Sequence, residues 1–268
     1  MVTRIPPLPL SHQLLLQRLT AAHFLNESQI MELWTEVNES QVSQQNPLGG
    51  TLQQTISLIN KSIKPGFGME IRSISFLLRG SEEEPDDDDE SMTPTKYYAV
   101  VNCNGDNVAT SMASKLTKSP HELALLRLIL EKLVEYSNQQ LDKENEEEKE
   151  NEDESSDDGT SRNKKRRRVN HTRGIGCISS IPRMDLINLR TELTGHHQNK
   201  LTIQQTDNCL ALLEAEGWLV PCVKGSSKRR SMGGSSKLQL GPRAYMEFPD
   251  FLVKVGLERD HLPQFILH

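Results

Sequence analysis

Histidine is the residue type in this chain best suited to acid–base or metal chemistry, yet its spacing indicates neither. His121 stands at the start of an apolar segment, where a surface or capping role is expected. His196 and His197 follow Gly195 in a polar stretch without a recognisable set of further metal ligands, which is typical of a solvated turn. The chain also lacks GxSxG, P-loop and HExxH motifs. The sequence therefore predicts no catalytic site and no metal site.

The four cysteines, at positions 103, 177, 209 and 222, form no CxxC pair. Their spacing suits neither a disulfide framework nor a zinc site, so reduced thiols in the cytosol or nucleus are expected. No cofactor is predicted for these 268 residues. No apolar run reaches the ~18 residues of a membrane span, and no secretory signal is expected at the N-terminus.

Charge is distributed unevenly along the chain, so the formal net charge of −6 is misleading as an average. Residues 82–90 hold 8 acidic and no basic side chains, and residues 142–158 hold 11 acidic and 2 basic ones. Outside these two segments, 29 basic side chains stand against 18 acidic ones. The mildly acidic composition therefore does not exclude nucleic acid as a partner.

Hydrophobic periodicity indicates the elements that would position these groups. Three helical segments precede two strand-like runs, Met69–Leu78 and Tyr97–Cys103, and an apolar helix follows. After a charged stretch, the order is two helices, a strand, a loop, a strand and a helix. In a winged helix, a β-hairpin follows the helices. We therefore predict an α+β, mainly helical fold with two winged-helix domains. A disordered charged linker is predicted to join them. The predicted divisions are a flexible tail (1–10), a first winged-helix domain (11–137) with an acidic wing insert (79–95), the linker (138–173), a second winged-helix domain (174–256) and a C-terminal tail (257–268).

Capping residues mark where several helices begin, and three of the caps are capping boxes of the S/T/N-x-x-E/Q kind. The third helix is predicted to end at Pro65-Gly66. The predicted caps are Ser11, Asn26 with Gln29, Thr51, Ser119 with Glu122, and Thr202 with Gln205.

The helix predicted over 120–136 is apolar around most of its circumference, so it must be buried on more than one side. This excess of apolar surface makes it the candidate partner-docking element. The alternative is that the same surface only completes the core of the small domain. The candidate docking residues are Leu123, Leu126, Leu130 and Leu133.

Of the two predicted wings, only the second suits DNA, because the acids of the first would repel phosphate. The second wing, residues 224–237, carries five basic and no acidic side chains, although it could equally be a soluble, flexible loop. The helix before it, 202–216, contains no Lys or Arg, so we interpret both domains mainly as protein-binding modules. The candidate DNA-contact residues are Lys224, Lys228, Arg229, Arg230 and Lys237.

A basic run in the predicted linker indicates nuclear import, because an import receptor could bind it in an exposed segment. The alternative is a nonspecific basic tract that binds DNA or pairs with the acids before it. The residues of this candidate import signal are Lys164, Lys165, Arg166, Arg167 and Arg168.

Several stretches, taken in order, resemble one known family. They are 97–102 (YYAVVN), Met112-Ala113, Glu122-Leu123 opening the leucine-rich helix, 212–219 (LLEAEGWL) and 238–244 (LQLGPRA). Over residues 10–137 and 175–255 the chain is similar to non-SMC element 1, a subunit of the SMC five/six chromosome complex. The resemblance implies two winged-helix domains followed by a RING-like zinc domain, MAGE-like and kleisin partners, a role in DNA repair and recombination, and ubiquitin-ligase membership.

The chain departs from that family near its end. A RING needs about eight Cys and His ligands, whereas no cysteine follows Cys222. We therefore expect that the RING-like domain is absent here, that ligase activity is incomplete, and that zinc and a ubiquitin-conjugating enzyme would bind only through a downstream domain. The expected function is a nuclear interaction subunit of the chromosome complex, without membrane contact. The alternatives are a stand-alone winged-helix DNA-binding regulator and a functional ubiquitin ligase.

Overall fold

The computed structural model describes residues 7–40, 47–76, 95–103, 119–153, 179–222, 236–263 and 265–266. These residues form a mixed α+β, mainly helical fold, as predicted. No helix in these ranges is long and apolar enough to span a membrane. The acidic wing insert lies almost entirely outside them.

The first half of the chain places three helices before a long antiparallel hairpin, with one short strand between the first two helices. Its elements are α1 (Leu10–Ala22), β1 (Phe24–Asn26), α2 (Glu27–Glu39), α3 (Leu52–Phe67), β2 (Met69–Phe76) and β3 (Thr95–Asn102).

The second half begins with a long helix and repeats much of that order. Its elements are α4 (Pro120–Asp153), β4 (Ile181–Pro182), α5 (Arg183–Asn188), α6 (Ile203–Ala215), β5 (Leu219–Pro221), β6 (Lys237–Leu240), α7 (Pro242–Glu247), α8 (Pro249–Lys254) and β7 (Phe265–Ile266). Short 3₁₀ turns lie at Leu189–Thr191, Gly195–His197 and Arg259–His261.

Three predicted caps are confirmed, since α2, α3 and α6 each begin with a capping box in which the cap and the third helical residue bond reciprocally. Two boundary predictions are wrong. Helix α1 begins before Ser11, whose hydroxyl is buried against His12. Helix α3 continues through Pro65, which removes only one backbone donor, and ends at Gly68, whose left-handed φ of 63° forms the cap.

The strands form two antiparallel sheets. The larger has the order β1-β3-β2-β7, and the smaller has the order β4-β6-β5. In the larger sheet Ile71 lies opposite Val100, and the C-terminal strand β7 pairs with the free edge of β2 at Ser73 and Ile74. The C-terminal segment thus returns to the first half of the chain.

The β2–β3 hairpin is buried on both faces. Because side chains alternate along a strand, Ile71 and Tyr98 point to one face, and Ile74 and Val101 point to the other. The first face packs against α1, α2 and α3 in what we call the helical core, which includes Leu15, Leu19, Ile30, Val37, Ile56, Ile59, Ile71 and Tyr98. The second face packs against the second half of the chain in what we call the shared core, which includes Ile74, Phe76, Ala99, Val101, Leu126, Leu130, Leu133, Leu210, Leu213, Trp218, Leu240 and Tyr245.

Helix α4 is buried in the shared core, and this placement corrects the docking prediction for three of its four residues. Leu126, Leu130 and Leu133 have no exposed surface, so a partner cannot contact them while the chain is folded. Leu123 packs against the same cluster but is only partly buried, and its docking role stays a prediction. The prediction that the helix is buried on more than one side is nevertheless confirmed. The additional surface that covers it is the second half of the same chain.

Helix α4 also extends into the predicted linker. It continues to Asp153, so residues 138–153 are helical and not disordered as predicted. Once the buried turns have formed, each added residue gains a hydrogen bond without a new nucleation cost. Glu, Gln and Lys, which dominate this stretch, are also good helix formers. The remainder of the predicted linker, 154–173, lies outside the described residues.

The shared core predicts that both halves unfold together. We expect Leu130→Ala to lower the free energy of unfolding by about 2–5 kcal/mol, because it leaves a cavity in fully buried surroundings. Denaturant unfolding would be followed by fluorescence in Trp34→Phe and Trp218→Phe backgrounds, so that one tryptophan reports each half. Both tryptophans should report the lower free energy of unfolding. Leu212→Ala is the control, because Leu212 is 48% exposed. A loss seen by Trp218 alone would contradict a shared core.

Candidate interaction surfaces

The β5–β6 hairpin carries the predicted second wing, and the structure describes only its base. Lys237 is half-buried at the first position of β6, and its carbonyl accepts a hydrogen bond from the Cys222 amide at 2.9 Å. The other candidate DNA-contact residues, Lys224, Lys228, Arg229 and Arg230, lie outside the described residues, as does the candidate import signal 164–168.

The outward side of α6 is acidic, and one arginine from α5 neutralises much of it. The Arg183 Nε donates to the Asp207 carboxylate at 2.8 Å, and its Nη1 donates to Glu214. Burial lowers the pKa of Arg183, but the hydrogen bonds to Asp207 and Glu214 outweigh this effect and raise it. The guanidinium is therefore permanently charged and holds α5 against α6. Among the described residues, this face offers carboxylate hydrogen-bond acceptors to a protein partner. Helix α6 itself has no Lys or Arg that could bind phosphate.

Two motif stretches that were separated in sequence meet around Trp218. The Gly241 amide donates to the Trp218 carbonyl at 2.8 Å, and the Arg243 amide donates to the Gly217 carbonyl at 3.1 Å. A Cβ on Gly241 would lie 2.2 Å from the Gly217 oxygen, so only glycine fits there. Gly217 has a φ of +75° and packs against the Phe24 ring, where a Cβ would approach to 2.6 Å. This turn therefore joins the second half to β1 of the first.

Arg243 is buried at the same turn and is held by two carboxylates. It donates to Glu247 and to Glu216 at 2.7 Å each, while its guanidinium lies 4.4 Å from the centre of the Trp218 ring. Trp218 in turn stacks on Phe248, with ring centres 4.9 Å apart. Such a buried, fully paired cation fixes the relative positions of β5, α6 and α7.

A second buried ionic cluster lies on the shared-core side of β2. Glu70 accepts hydrogen bonds from Arg72 and Lys64, and Arg72 also donates to the Met246 carbonyl of α7 at 2.8 Å. Burial raises the pKa of Glu70, but the bonds from Lys64 and Arg72 outweigh it and hold the pKa below its ordinary value. The cluster thus remains charged at neutral pH and links the hairpin to the second half.

The described thiols show no sign of a reactive centre. Burial raises the pKa of Cys209 to about 12, with the Glu122 charge adding to the effect. Burial also raises the pKa of Cys103, although Arg72 lies nearby. Cys103 and Cys209 are free thiols.

A shallow cleft of about 230 Å³ lies between α4 and the β4–α5 segment. Tyr136 is 45% exposed at its edge. The lining mixes aliphatic, aromatic and charged side chains, namely Lys132, Glu135, Tyr136, Gln139, Ile181, Pro182, Asp185 and Leu189. This composition suits contact with a peptide or protein surface.

The structure brings together histidines that the sequence analysis treated separately. The Nδ1 atoms of His121 and His197 are 3.0 Å apart, and the His196 ring contacts the His197 ring at a tilt of 43° with centres 3.8 Å apart. Within the described ranges, no group of three or more His, Cys, Asp or Glu side chains is placed to hold a metal ion.

A family model now accounts for both the motif stretches and the element order. The model for the Nse1 non-SMC component of the SMC5-6 complex matches residues 12–248. The chain belongs to the Nse1 family. The resemblance identified in the sequence is thereby confirmed, and the glycines and arginine around Trp218 are the part of the Nse1 motifs for which the structure gives a steric and electrostatic reason.

One solved chain also has a similar fold. This Nse1-family chain matches a chain of a structure described as "Nse1-Nse3-Nse4 complex" with a TM-score of 0.50 and 19% sequence identity. The match covers 90% of this chain and 72% of that chain. No curated protein matches.

The ion pairs made by Arg183, by Arg243 and between Glu70 and Arg72 were not predicted from the sequence. A signal existed for Arg243, because it stands in the Gly241-Pro242-Arg243 stretch of a recognised motif. No local signal marked Arg183, since its partners lie 24 and 31 residues away in the chain.

Replacing Arg243 tests the buried ionic turn. Arg243→Met leaves Glu247 buried without its cation, so we expect the free energy of unfolding to fall by about 3–5 kcal/mol. Arg127→Met removes the same charge from an exposed pair of the same i, i+4 spacing, Arg127–Glu131, and should cost less than about 1 kcal/mol. The measurement is chemical denaturation at pH 7. Equal losses in the two variants would contradict the role assigned to burial.

Proposed function

We propose that the chain is a nuclear subunit of the SMC5-6 chromosome complex that acts in DNA repair and recombination and docks a MAGE-like and a kleisin subunit. The Nse1 family match over residues 12–248 carries this proposal. The similar solved chain supports it, because that chain belongs to a complex named for Nse1, Nse3 and Nse4. The partners proposed here are the MAGE-like Nse3 type and the kleisin Nse4 type.

The proposed modules are two winged helices, supported by a repeated topology. In α1–β3 and in α4–β6 the order is helix, strand, two helices and two strands. In both, the first strand pairs with the third, and the third pairs with the second, which gives β1-β3-β2 and β4-β6-β5. Under this assignment α4 is the first helix of the second module, so the predicted boundary at residue 137 moves to the segment before α4.

The proposed role of these modules is protein binding. Helix α6 carries no Lys or Arg, and Arg183 is already engaged with Asp207 and Glu214. A helix with this charge distribution is poorly suited to a DNA major groove. The alternative of a stand-alone DNA-binding regulator is therefore the weaker candidate. The proposal assigns a binding role to the described residues and no catalytic step.

Co-expression with the MAGE-like and kleisin subunits of the same species tests the docking role. We expect the three proteins to co-elute in size-exclusion chromatography. Leu126→Asp is the control, because a charge in the shared core should unfold the chain and abolish co-elution. Elution of the folded wild-type chain alone, with a native circular-dichroism spectrum, would overturn the proposal.

We also propose an auxiliary, sequence-independent DNA contact by the second wing. It is supported by the five basic side chains of residues 224–237 and by the β5–β6 pairing that would present the loop. Import to the nucleus is proposed to use the basic run 164–168, which is a separate segment.

Neutralising the wing in the assembled subcomplex tests this contact. Replacing Lys228, Arg229 and Arg230 with Gln should weaken DNA binding and lower the slope of log affinity against log salt by up to about 3, because three phosphate contacts are lost. The matched control replaces Lys165, Arg166 and Arg167 with Gln. Unchanged affinity and slope in the wing variant, or equal effects in both variants, would refute a specific role for the wing.

A further inference from the structure

Two imidazole rings from distant parts of the chain face each other at the N-terminus of α4. His121 is the second residue of α4, and its amide donates to the Ser119 hydroxyl at 3.3 Å. His197 ends the 3₁₀ turn Gly195–His197, which lies between α5 and α6. The ring planes are 79° apart, and the Nδ1 atoms are separated by 3.0 Å. Both rings are partly exposed, so solutes can reach them.

This contact needs a hydrogen atom or a metal ion between the two nitrogens. A neutral imidazole has a lone pair on one ring nitrogen and a proton on the other. Two lone pairs at 3.0 Å repel, and two N–H groups would clash, so either one proton or one cation must lie between the Nδ1 atoms. A proton gives an N–H···N hydrogen bond. A metal ion gives two coordinate bonds from the same atoms.

The spacing fits metal coordination without a large rearrangement. Two imidazole nitrogens bound to one ion at about 2.0–2.1 Å, with an angle of about 90–110° between the bonds, stand about 2.9–3.4 Å apart. The observed separation of 3.0 Å lies in that range.

We propose that His121 and His197 form a two-imidazole site for a borderline-soft divalent cation such as Zn²⁺ or Ni²⁺, with water in the remaining positions. The site uses two protein ligands only. The His196 ring contacts the His197 ring at a tilt of 43°, and its centre is 6.5 Å from that of His121, so His196 is not one of the two ligands. The ion would fasten the start of α4 to the turn between α5 and α6. This site lies in the body of the chain and is separate from any RING-like zinc domain.

The charges around the pair limit the affinity. The N-terminus of α4 adds partial positive charge, which opposes a cation. Glu122 is the next residue in α4. On the loop side, Lys200 lies three residues beyond His197, and its amide donates to the His197 carbonyl.

The probe for this site is Ni²⁺, because imidazole suits it and thiolates prefer softer ions. Isothermal titration calorimetry of the full chain in chelator-free buffer at pH 7.4 would compare the wild type with His121→Gln and His197→Gln. We expect one Ni²⁺ per chain and at least a roughly tenfold weaker affinity in either variant. A rise in the thermal midpoint with Ni²⁺ should accompany binding in the wild type and disappear in both variants.

His196→Gln is the matched control, since it removes an adjacent, exposed imidazole. It should retain wild-type affinity within about threefold, less than the tenfold loss expected from removing a ligand. Equal losses in all three variants would show nonspecific histidine binding and overturn the proposal. Absence of Ni²⁺ binding in the folded wild type would also overturn it, and would leave a hydrogen bond as the sole link between the two rings.

Discussion

The β2–β3 hairpin is covered by apolar packing on both of its faces, and the arrangement of the two halves depends on this burial. An antiparallel sheet of this kind usually leaves one face to water. Here Ile71 and Tyr98 pack into the helical core, whereas Ile74, Phe76 and Val101 pack into the shared core. Each of the two apolar faces of the hairpin must pack against other elements to be shielded from water. The helices α1–α3 supply one cover, and α4 with α7 supplies the other. Separation of the halves would therefore uncover one face of the hairpin and remove its strands from the shared core, although the helical core consists of first-half residues alone.

The polar groups at this junction reinforce the same arrangement. Arg72 donates from β2 to the Met246 carbonyl in α7, and Glu70 keeps its charge because Lys64 and Arg72 surround it. On the other side, the Gly217–Trp218 turn packs against Phe24 of β1. The Arg72–Met246 and Gly217–Phe24 contacts each join a first-half element to a second-half element. The motif stretch that contains Gly217 and Trp218 thus helps to hold the two halves together.

This rigid arrangement leaves the outer surfaces for partners. The buried leucines of α4 are unavailable, so docking must use the faces that stay exposed, among them the cleft beside Tyr136 and the acidic side of α6. The charges of these surfaces favour different classes of partner. Arg183 neutralises α6 from within the chain, which suits a protein partner, whereas the basic residues of 224–237 suit phosphate. The proposed function therefore assigns protein subunits to the described surfaces and DNA to the basic residues of 224–237.

The sequence by itself determined the fold class, most helix starts and the family. Capping boxes at Asn26, Thr51 and Thr202 are local, and the family model matches residues 12–248 of the sequence. Tertiary structure alone decided which surface covers α4, because an apolar helix indicates burial without naming what it packs against. It also decided the ion pairs of Arg183 and Arg243 and the meeting of His121 with His197, which lie 76 residues apart. Local patterns specify elements through short-range hydrogen bonds and periodicity. Pairings between distant residues depend on how those elements pack, and no local pattern in the sequence specifies that.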